Sequence, residues 1–168
     1  MTHLFDPIRI RDVEFLNRLW VSPMCMYSAV DGVVQEFHHA HIGAFSTGGA
    51  GAIVMEATGV TPEGRISLSC PGLWNDEQVE ALKPIIQLAR TNEVRIGIQL
   101  AHAGRKGSTN PMGAKMHATP EEGGWINEAP SAIAFEGYPT PREITHDDIA
   151  RITQAWADAA HRAVRAGF

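Results

Sequence analysis

Three continuous apolar runs predict three buried β-strands. They cover residues 19–21, 52–55 and 94–100, and each is followed by turn-forming or polar residues. Apolar runs bounded by such residues are typical of β-strands that are buried in the core. Ahead of them, apolar and polar residues alternate over residues 4–15 with turn-forming pairs between, which predicts a β-hairpin.

Three further segments carry apolar residues at the spacing of amphipathic helices. The first is stopped by Gly48-Gly49. Two capping boxes predict where the second and third helices begin, namely Asn75 with Gln78 and Thr145 with Asp148. The side chains expected to be buried are Phe37, Ala40, Ala44 and Phe45 in the first helix, Val79, Leu82, Ile86 and Ala89 in the second, and Ile149, Ile152, Trp156, Ala159 and Ala163 in the third.

A hairpin followed by three strand-helix units predicts an α/β fold with parallel strands and right-handed connections. Three such units alone form an open sheet whose edge and helix faces are only partly covered. At this spacing eight units need about 300 residues or more, within the range of a (β/α)₈ TIM barrel. We therefore expect residues 1–168 to be the N-terminal half of a TIM barrel with an N-terminal β-hairpin, three βα units present and strands 4–8 absent.

Composition and charge indicate which kinds of binding partner are expected for the chain. The chain has 168 residues, of which 44% are hydrophobic and 20% charged, and a formal net charge of −5 without a block of basic residues. Nucleic acid and membranes are therefore not expected as partners, and a small molecule is. Residues 1–20 lack the apolar core of a signal peptide, and no apolar run approaches the roughly 20 residues of a membrane span, so a cytoplasmic location is expected.

Reactive side chains follow the first and third predicted strands directly. The first strand leads into V-S-P-M-C-M-Y-S, which contains Cys25 and Tyr27, and the third includes Gln99 and continues to His102. Because ligands bind at the carboxyl ends of strands in parallel α/β folds, this arrangement predicts an active-site rim. Residues 101–142, rich in Gly, Pro and Ser, are much longer than an ordinary loop and are expected to lie over that site.

The histidines and cysteines do not form a recognisable metal motif. His38, His39 and His41 lie at the start of a helix with no cysteine or carboxylate at ligand spacing, so they are interpreted as helix-face side chains and no metal is expected. Cys25 and Cys70 are far apart in sequence, which predicts two free thiols. Of the two, Cys25 is expected to be a redox or cofactor-contacting thiol and Cys70 to be structural.

Three motifs resemble those of the old yellow enzyme family. They are S-P-M-C-M-Y-S after the first strand, V-M-E-A-T-G-V-T-P-E-G-R-I after the second and G-I-Q-L-A-H-A-G-R-K after the third. The likeness extends over the whole chain and is greatest to the bacterial branch of xenobiotic reductase A and its thermophilic-type relatives. It implies an FMN-dependent (β/α)₈ ene-reductase, in which NAD(P)H reduces the flavin and the flavin passes a hydride to the β-carbon of an activated alkene.

The resemblance also implies a set of site residues. Gln99 would hold the pyrimidine ring of the flavin, Ala57 would meet the flavin edge through its backbone, and Tyr27 would contact the substrate. The residues that would line the flavin are Ser22, Pro23, Met24 and Cys25. The chemistry of these groups agrees with the implied roles. An amide can both donate to O2 and accept from N3–H of the isoalloxazine. A thiol near N5 and O4 can tune the reduction potential of the flavin through a weak hydrogen bond.

Other parts of the family's site would lie beyond Phe168. They are the histidine pair H-x-x-H that binds the substrate carbonyl oxygen, the tyrosine proton donor, the arginine facing flavin N1 and the phosphate-binding loops, so no catalytic residue is assigned within residues 1–168. We expect NADPH- or NADH-dependent reduction of α,β-unsaturated carbonyl compounds only when a C-terminal half, from the same gene or a second chain, completes the barrel. The complete barrel is expected to be a homo-oligomer.

Two alternatives remain open on the sequence. In the first, the chain is a non-catalytic half-barrel module that self-associates as a homodimer, so that each copy covers the sheet edge of the other. In the second, it is an open three-layer sheet that binds some other ligand, which is harder to stabilise with so few strands.

Overall fold

The central feature of the fold is a parallel three-stranded sheet. The computed structural model describes residues 2–110 and 116–168. The sheet consists of β3 (Trp20–Val21), β4 (Ala52–Gly59) and β5 (Arg95–Ala101), paired in that order and parallel throughout. An antiparallel hairpin, β1 (Ile8–Ile10) with β2 (Val13–Phe15), precedes it. The predicted α/β order and the predicted hairpin are therefore confirmed.

Three helices follow the strands in the predicted order. They are α1 (Glu36–Thr47), α2 (Asp76–Thr91) and α3 (His146–Ala166). The predicted capping boxes at the start of α2 and α3 are both present, and Gly167, with φ 114°, ends α3 in the left-handed conformation. The helix boundaries follow from these local signals.

The core lies between one face of the sheet and α2. The predicted apolar face of α2 is buried as expected, and Ile85 joins it. These side chains pack against Ile53 and Met55 of β4, and Ile96, Ile98 and Leu100 of β5 contact the same cluster. Burying a leucine or isoleucine side chain in this way stabilises the fold by about 1.5–3 kcal/mol, so α2 fixes the sheet against the helical layer.

The predicted buried face of α1 is wrong. His38, Ile42 and Ser46 face the interior instead, and Phe37 is 45% exposed. Phe37 stacks on His41, with ring centroids 5.6 Å apart. The inward face of α1 differs from the predicted one because the helix has only a weak apolar stripe. A polar contact made by His38 therefore determines which face lies against the core.

The predicted apolar face of α3 is buried only towards its C-terminal end. Ala159 and Ala163 are buried, whereas Ile149 and Trp156 are exposed. The N-terminal half of α3 instead carries a charged network, in which Arg151 pairs with Glu63 and Glu128, and Arg142 pairs with Asp148. The first predicted strand also differs, because Leu19 and Trp20 are exposed and only two residues form the strand.

The hairpin lies at the amino ends of the sheet strands, as expected for a barrel bottom. The Arg95 Nε–H donates to the backbone oxygen of Glu14 at 2.9 Å, and the rings of Phe15 and Trp20 lie 4.5 Å apart. A largely apolar cavity of about 690 Å³ opens between the hairpin, the uncovered sheet face and Phe168.

The long segment after β5 packs against the loop after β4. It contains a short parallel pair, β6 (Glu128–Ala129) with β7 (Arg142–Glu143). Backbone hydrogen bonds join Thr109 to Ile66 and Ala103 to Gly64 at 2.8 and 2.9 Å. The segment therefore lies at the carboxyl ends of β4 and β5, and its residues 111–115 are outside the described part of the chain. In the described part, no helix has both the length and the apolar character that a membrane crossing requires.

Replacing the N-cap of α2 tests this local account. The Asn75 Oδ1 accepts the N–H of Gln78 at 3.0 Å, so Asn75→Ala is expected to lower the free energy of unfolding by about 1 kcal/mol. Urea denaturation would measure the change. The matched control, Asn75→Ser, keeps an acceptor and should lose much less, and equal losses in the two variants would contradict the capping role.

Candidate functional site

The carboxyl ends of the three parallel sheet strands lie at one edge of the sheet, which is called the rim. Ala57 on β4 and Gln99 on β5 are Cα partners in the parallel ladder. A β-bulge between Met55 and Ala57 shifts the register at this point, so Glu56 leaves the regular alternation of the strand. The bulge places a carboxylate beside the segment that follows β3.

Gln99 lies on the face of the sheet opposite the helices. Its neighbours Ile98 and Leu100 pack against the core, and side chains alternate along a strand. Gln99 is exposed, and among the described residues its amide makes no side-chain hydrogen bond. An unpaired amide at a strand end is free to bind a ligand.

The segment after β3 is held by the carboxylate of Glu56. The Met26 N–H donates to Oε2 of Glu56 at 2.9 Å, and the Ser28 hydroxyl donates to the backbone oxygen of Met26 at 2.9 Å. Tyr27, between them, has φ 53°, in the left-handed region that non-glycine residues rarely adopt. The two hydrogen bonds therefore fix a strained backbone that presents the phenol, which is 40% exposed.

The imidazole of His38 lies against the carboxylate of Glu56. Its Nδ1 accepts the backbone N–H of Gln35 at 3.0 Å, so its Nε2 carries the ring hydrogen. Nε2 lies 3.3 Å from Oε1 of Glu56, and both side chains are almost fully buried. The contact is not well aligned for a hydrogen bond and acts mainly through electrostatics. His38 is thus part of the site's support, whereas His41 packs between Phe37 and Phe45.

The structure brings Cys25 and Cys70 together. Their sulfur atoms and a carboxylate oxygen of Glu56 all lie within 4.8 Å of one another. Both thiols are free. The sequence predicted a structural role for Cys70 and no contact with Cys25. The contact could not be predicted because the two cysteines are distant in sequence.

The two thiols affect each other's ionisation. Interaction with the Cys70 sulfur, followed by burial, raises the pKa of Cys25. The same interaction lowers the pKa of Cys70 to about 7, helped by a contact of 3.3 Å with the Ser67 hydroxyl. Cys70 is therefore the more acidic thiol of the pair. Tyr27 stands beside them, and burial, then the neighbouring sulfurs, raise its pKa, so its phenol remains a hydrogen-bond donor.

The other residues with an expected site role occupy the same rim. Ala57 is buried, Pro23 and Cys25 are half-buried, and Ser22 and Met24 are exposed. These residues and Gln99 provide small side chains, a thiol and an amide on or directly after the strands of the sheet. Such a surface suits a flat aromatic ligand with polar edges.

Side chains after β5 hold the long loop. The Arg105 Nη1–H donates to the backbone oxygen of Ile133 at 3.0 Å, and the Lys106 ammonium lies 4.1 Å from the centre of the Phe135 ring. His102 packs against Gly64, and burial lowers its pKa. Lys106 is exposed to solvent and makes a cation–π contact with Phe135.

Trp125 and Trp74 contact one arginine from the loop after β4. The Arg65 guanidinium lies 5.0 Å from the Trp125 ring and 5.3 Å from that of Trp74. Trp125 thereby joins the long segment to the loop after β4. Sequence patterns did not reveal this contact, nor the roles of Glu56, His38 and Cys70, because each depends on groups brought together by the sheet.

Comparison with known proteins agrees with this geometry. Residues 3–168 match the NADH:flavin oxidoreductase / NADH oxidase family. The chain is 45% identical to an NADPH dehydrogenase of Geobacillus thermodenitrificans, over 99% of this chain and 46% of that protein. It is 44% identical to an NADH:flavin oxidoreductase of Gibberella zeae, over 99% of this chain and 42% of that protein.

Solved structures show the same relationship. Morphinone reductase superposes with a TM-score of 0.83 at 29% identity, over 98% of this chain and 46% of that one. The old yellow enzyme homologue of Zymomonas mobilis gives a TM-score of 0.80 at 32% identity, over 99% and 46%. The chain spans about half the length of these relatives, which are TIM barrels. The expected fold, half of a (β/α)₈ barrel with three βα units, is therefore confirmed.

Proposed function

Because this chain belongs to the NADH:flavin oxidoreductase / NADH oxidase family, we propose that it supplies one wall of the FMN site of an NAD(P)H-dependent ene-reductase. The substrate class is α,β-unsaturated carbonyl compounds, whose activated C=C bond is reduced. Residues 1–168 are in this proposal the N-terminal half of a single flavin oxidoreductase domain. The C-terminal half, in the same polypeptide or a second chain, completes the site.

The observation that carries the proposal is the pairing of Ala57 with Gln99 at the carboxyl ends of β4 and β5. It combines an exposed amide, which makes no side-chain hydrogen bond to the described residues, with a small buried residue at its side. A flat heteroaromatic ring needs both, because its polar edge requires donors and acceptors while its approach to the strand ends requires small side chains. The donor set therefore fits FMN.

Each residue has a distinct task in this site. FMN, when bound, supplies the hydride chemistry that links NAD(P)H to the alkene. Gln99 binds the pyrimidine edge, the Ala57 backbone meets the ring edge, and the Cys25 thiol offers a weak hydrogen bond. The wall of the cradle consists of Ser22, Pro23, Met24 and Cys25.

Tyr27 orients the substrate. The raised pKa of its phenol keeps the hydroxyl protonated at neutral pH, so it can donate to a carbonyl oxygen. The hydrogen bonds that Met26 makes to Glu56 and to Ser28 hold this phenol at the rim. A fixed donor lowers the entropy lost when the substrate binds in a reactive orientation.

An enone assay on the complete protein tests the function. We expect NADPH or NADH to bleach the flavin anaerobically, and 2-cyclohexenone to restore its colour with formation of cyclohexanone. 2-Cyclohexen-1-ol or unreacted enone as the final species, with flavin reoxidised only by oxygen, would show that the reaction is not alkene reduction.

Removing the amide of Gln99 should weaken flavin binding. Gln99→Leu deletes the polar contacts to the pyrimidine edge, so the Kd for FMN is expected to rise about 10-fold or more, equivalent to about 1.4 kcal/mol. Fluorescence titration of the apoprotein with FMN measures this. The control Gln87→Leu makes the same change on the exposed side of α2 and should leave Kd unaltered; similar Kd values in both variants would remove Gln99 from the site.

A further inference from the structure

Cys25 and Cys70 form a thiol pair on two neighbouring backbone segments. The Ala29 N–H donates to the Ser69 oxygen at 3.0 Å, so the segment after β3 runs beside the loop that carries Cys70. Their sulfur atoms lie within 4.8 Å of each other. A disulfide would require the two sulfurs to approach to about 2.05 Å.

The two sulfurs differ in accessibility. Cys25 is half-buried in the segment after β3, whereas Cys70 is fully buried. A small oxidant therefore reaches Cys25 first. The Cys70 thiol, with its pKa lowered to about 7, is the better thiolate of the two and is held against the Ser67 hydroxyl at 3.3 Å. The Cys70 thiolate acts as the base that takes the Cys25 proton as Cys25 attacks, so the accessible Cys25 sulfur is the nucleophile.

A metal ion is less well supported at this place. Cys25, Cys70 and Glu56 could offer three ligand atoms. The carboxylate, however, already accepts the Met26 N–H through Oε2 and faces His38 through Oε1. A bound ion would have to displace those contacts, whereas oxidation of the sulfurs leaves them intact.

We propose that Cys25 and Cys70 are a modification site, at which a peroxide converts the two thiols into a reversible intrachain disulfide. Cys25 attacks the peroxide, one O–O bond breaks, and the products are Cys25 sulfenic acid and water. The Cys70 thiolate then attacks that sulfur, an S–S bond forms, and the hydroxide released takes a proton from the solvent to give a second water. Two thiols are oxidised and one hydrogen peroxide is reduced to two waters.

The disulfide would have two consequences for the molecule. It links residues 22–28 covalently to the loop after β4. It also removes the S–H group of Cys25. The chemistry requires no flavin, so it can be tested separately from the reductase activity.

Peptide mass spectrometry after peroxide treatment tests the inference. The purified protein in its full-length form, with its flavin, is exposed to hydrogen peroxide, alkylated and digested with and without prior reduction by dithiothreitol. We expect a peptide pair joining Cys25 to Cys70, lighter by two hydrogen atoms than the sum of its parts, and near-complete loss of alkylation at both sites that dithiothreitol reverses. A non-reducing gel should show the mass of the single chain, because the bond is within it.

The variant Cys70→Ser separates this pathway from simple oxidation. Without the second thiol, Cys25 should proceed to sulfinic acid, which dithiothreitol does not reverse. The inference is overturned if the unaltered protein also accumulates sulfinic acid at Cys25 without a linked peptide, if both thiols stay alkylatable, or if the gel shows disulfide-linked dimers. The measurements on the unaltered protein decide the matter even where Cys70→Ser does not fold.

Discussion

A polypeptide of residues 1–168 produced alone should bind no FMN, and addition of the complementary C-terminal half should produce a yellow complex with enone-dependent NAD(P)H oxidation. The physical reason is the incomplete surface. No helix or strand of residues 2–110 and 116–168 covers the face of the sheet that carries Gln99, and an apolar cavity of about 690 Å³ at the amino ends of the strands is open to water. Exposed apolar surface of this kind favours association with a complementary surface.

The flavin contacts give a second reason for the same expectation. Within the described residues the proposed wall offers an amide, a thiol and backbone groups, but one wall encloses only one side of a ligand, and tight small-molecule sites bury most of the ligand surface. Absorbance of the bound flavin after gel filtration, together with the eluted mass, measures the effect. The complementary half with FMN but without residues 1–168 is the control.

Two results would contradict this expectation. A monomeric, yellow and cooperatively unfolding product of residues 1–168 would mean that one wall suffices. A colourless homodimer that persists in the presence of the other half would instead favour the non-catalytic half-barrel module.

Replacing Glu56 should have the largest effect on stability of any single change in the site. Glu56→Ala leaves the Met26 N–H and the His38 Nε2–H without their buried carboxylate. Loss of one partner in a buried, charge-assisted arrangement typically destabilises a fold by about 3–5 kcal/mol. The free energy of unfolding in urea measures this loss, and Glu56→Gln, which retains one acceptor oxygen, should show a smaller one.

A surface carboxylate provides the matched control. Glu80 pairs with Lys83 on the exposed side of α2, and Glu80→Ala should leave the free energy of unfolding nearly unchanged because water solvates both partners. If Glu56→Ala and Glu80→Ala gave similar values, the carboxylate of Glu56 would not be the support of the rim. The Tyr27 position would then have to be fixed by other contacts.

Much of the fold could be predicted from local patterns. The capping boxes at Asn75 and Thr145, the buried face of α2 and the parallel order of strands depend on residues that are near each other in sequence. The exposed positions of Leu19 and Trp20 could not be predicted in this way. An apolar run indicates that a strand can be buried, but whether it is depends on what covers it.

The sequence by itself determined the succession of strands and helices and the presence of an amide, a thiol and a phenol at strand ends, because periodicity, capping and strand-end position are local properties of the chain. Tertiary structure alone decided which face of α1 turns inward, that Glu56 leaves the strand at a bulge, and that Cys25 meets Cys70. These features depend on the register between distant segments, and no spacing within one segment carries that information.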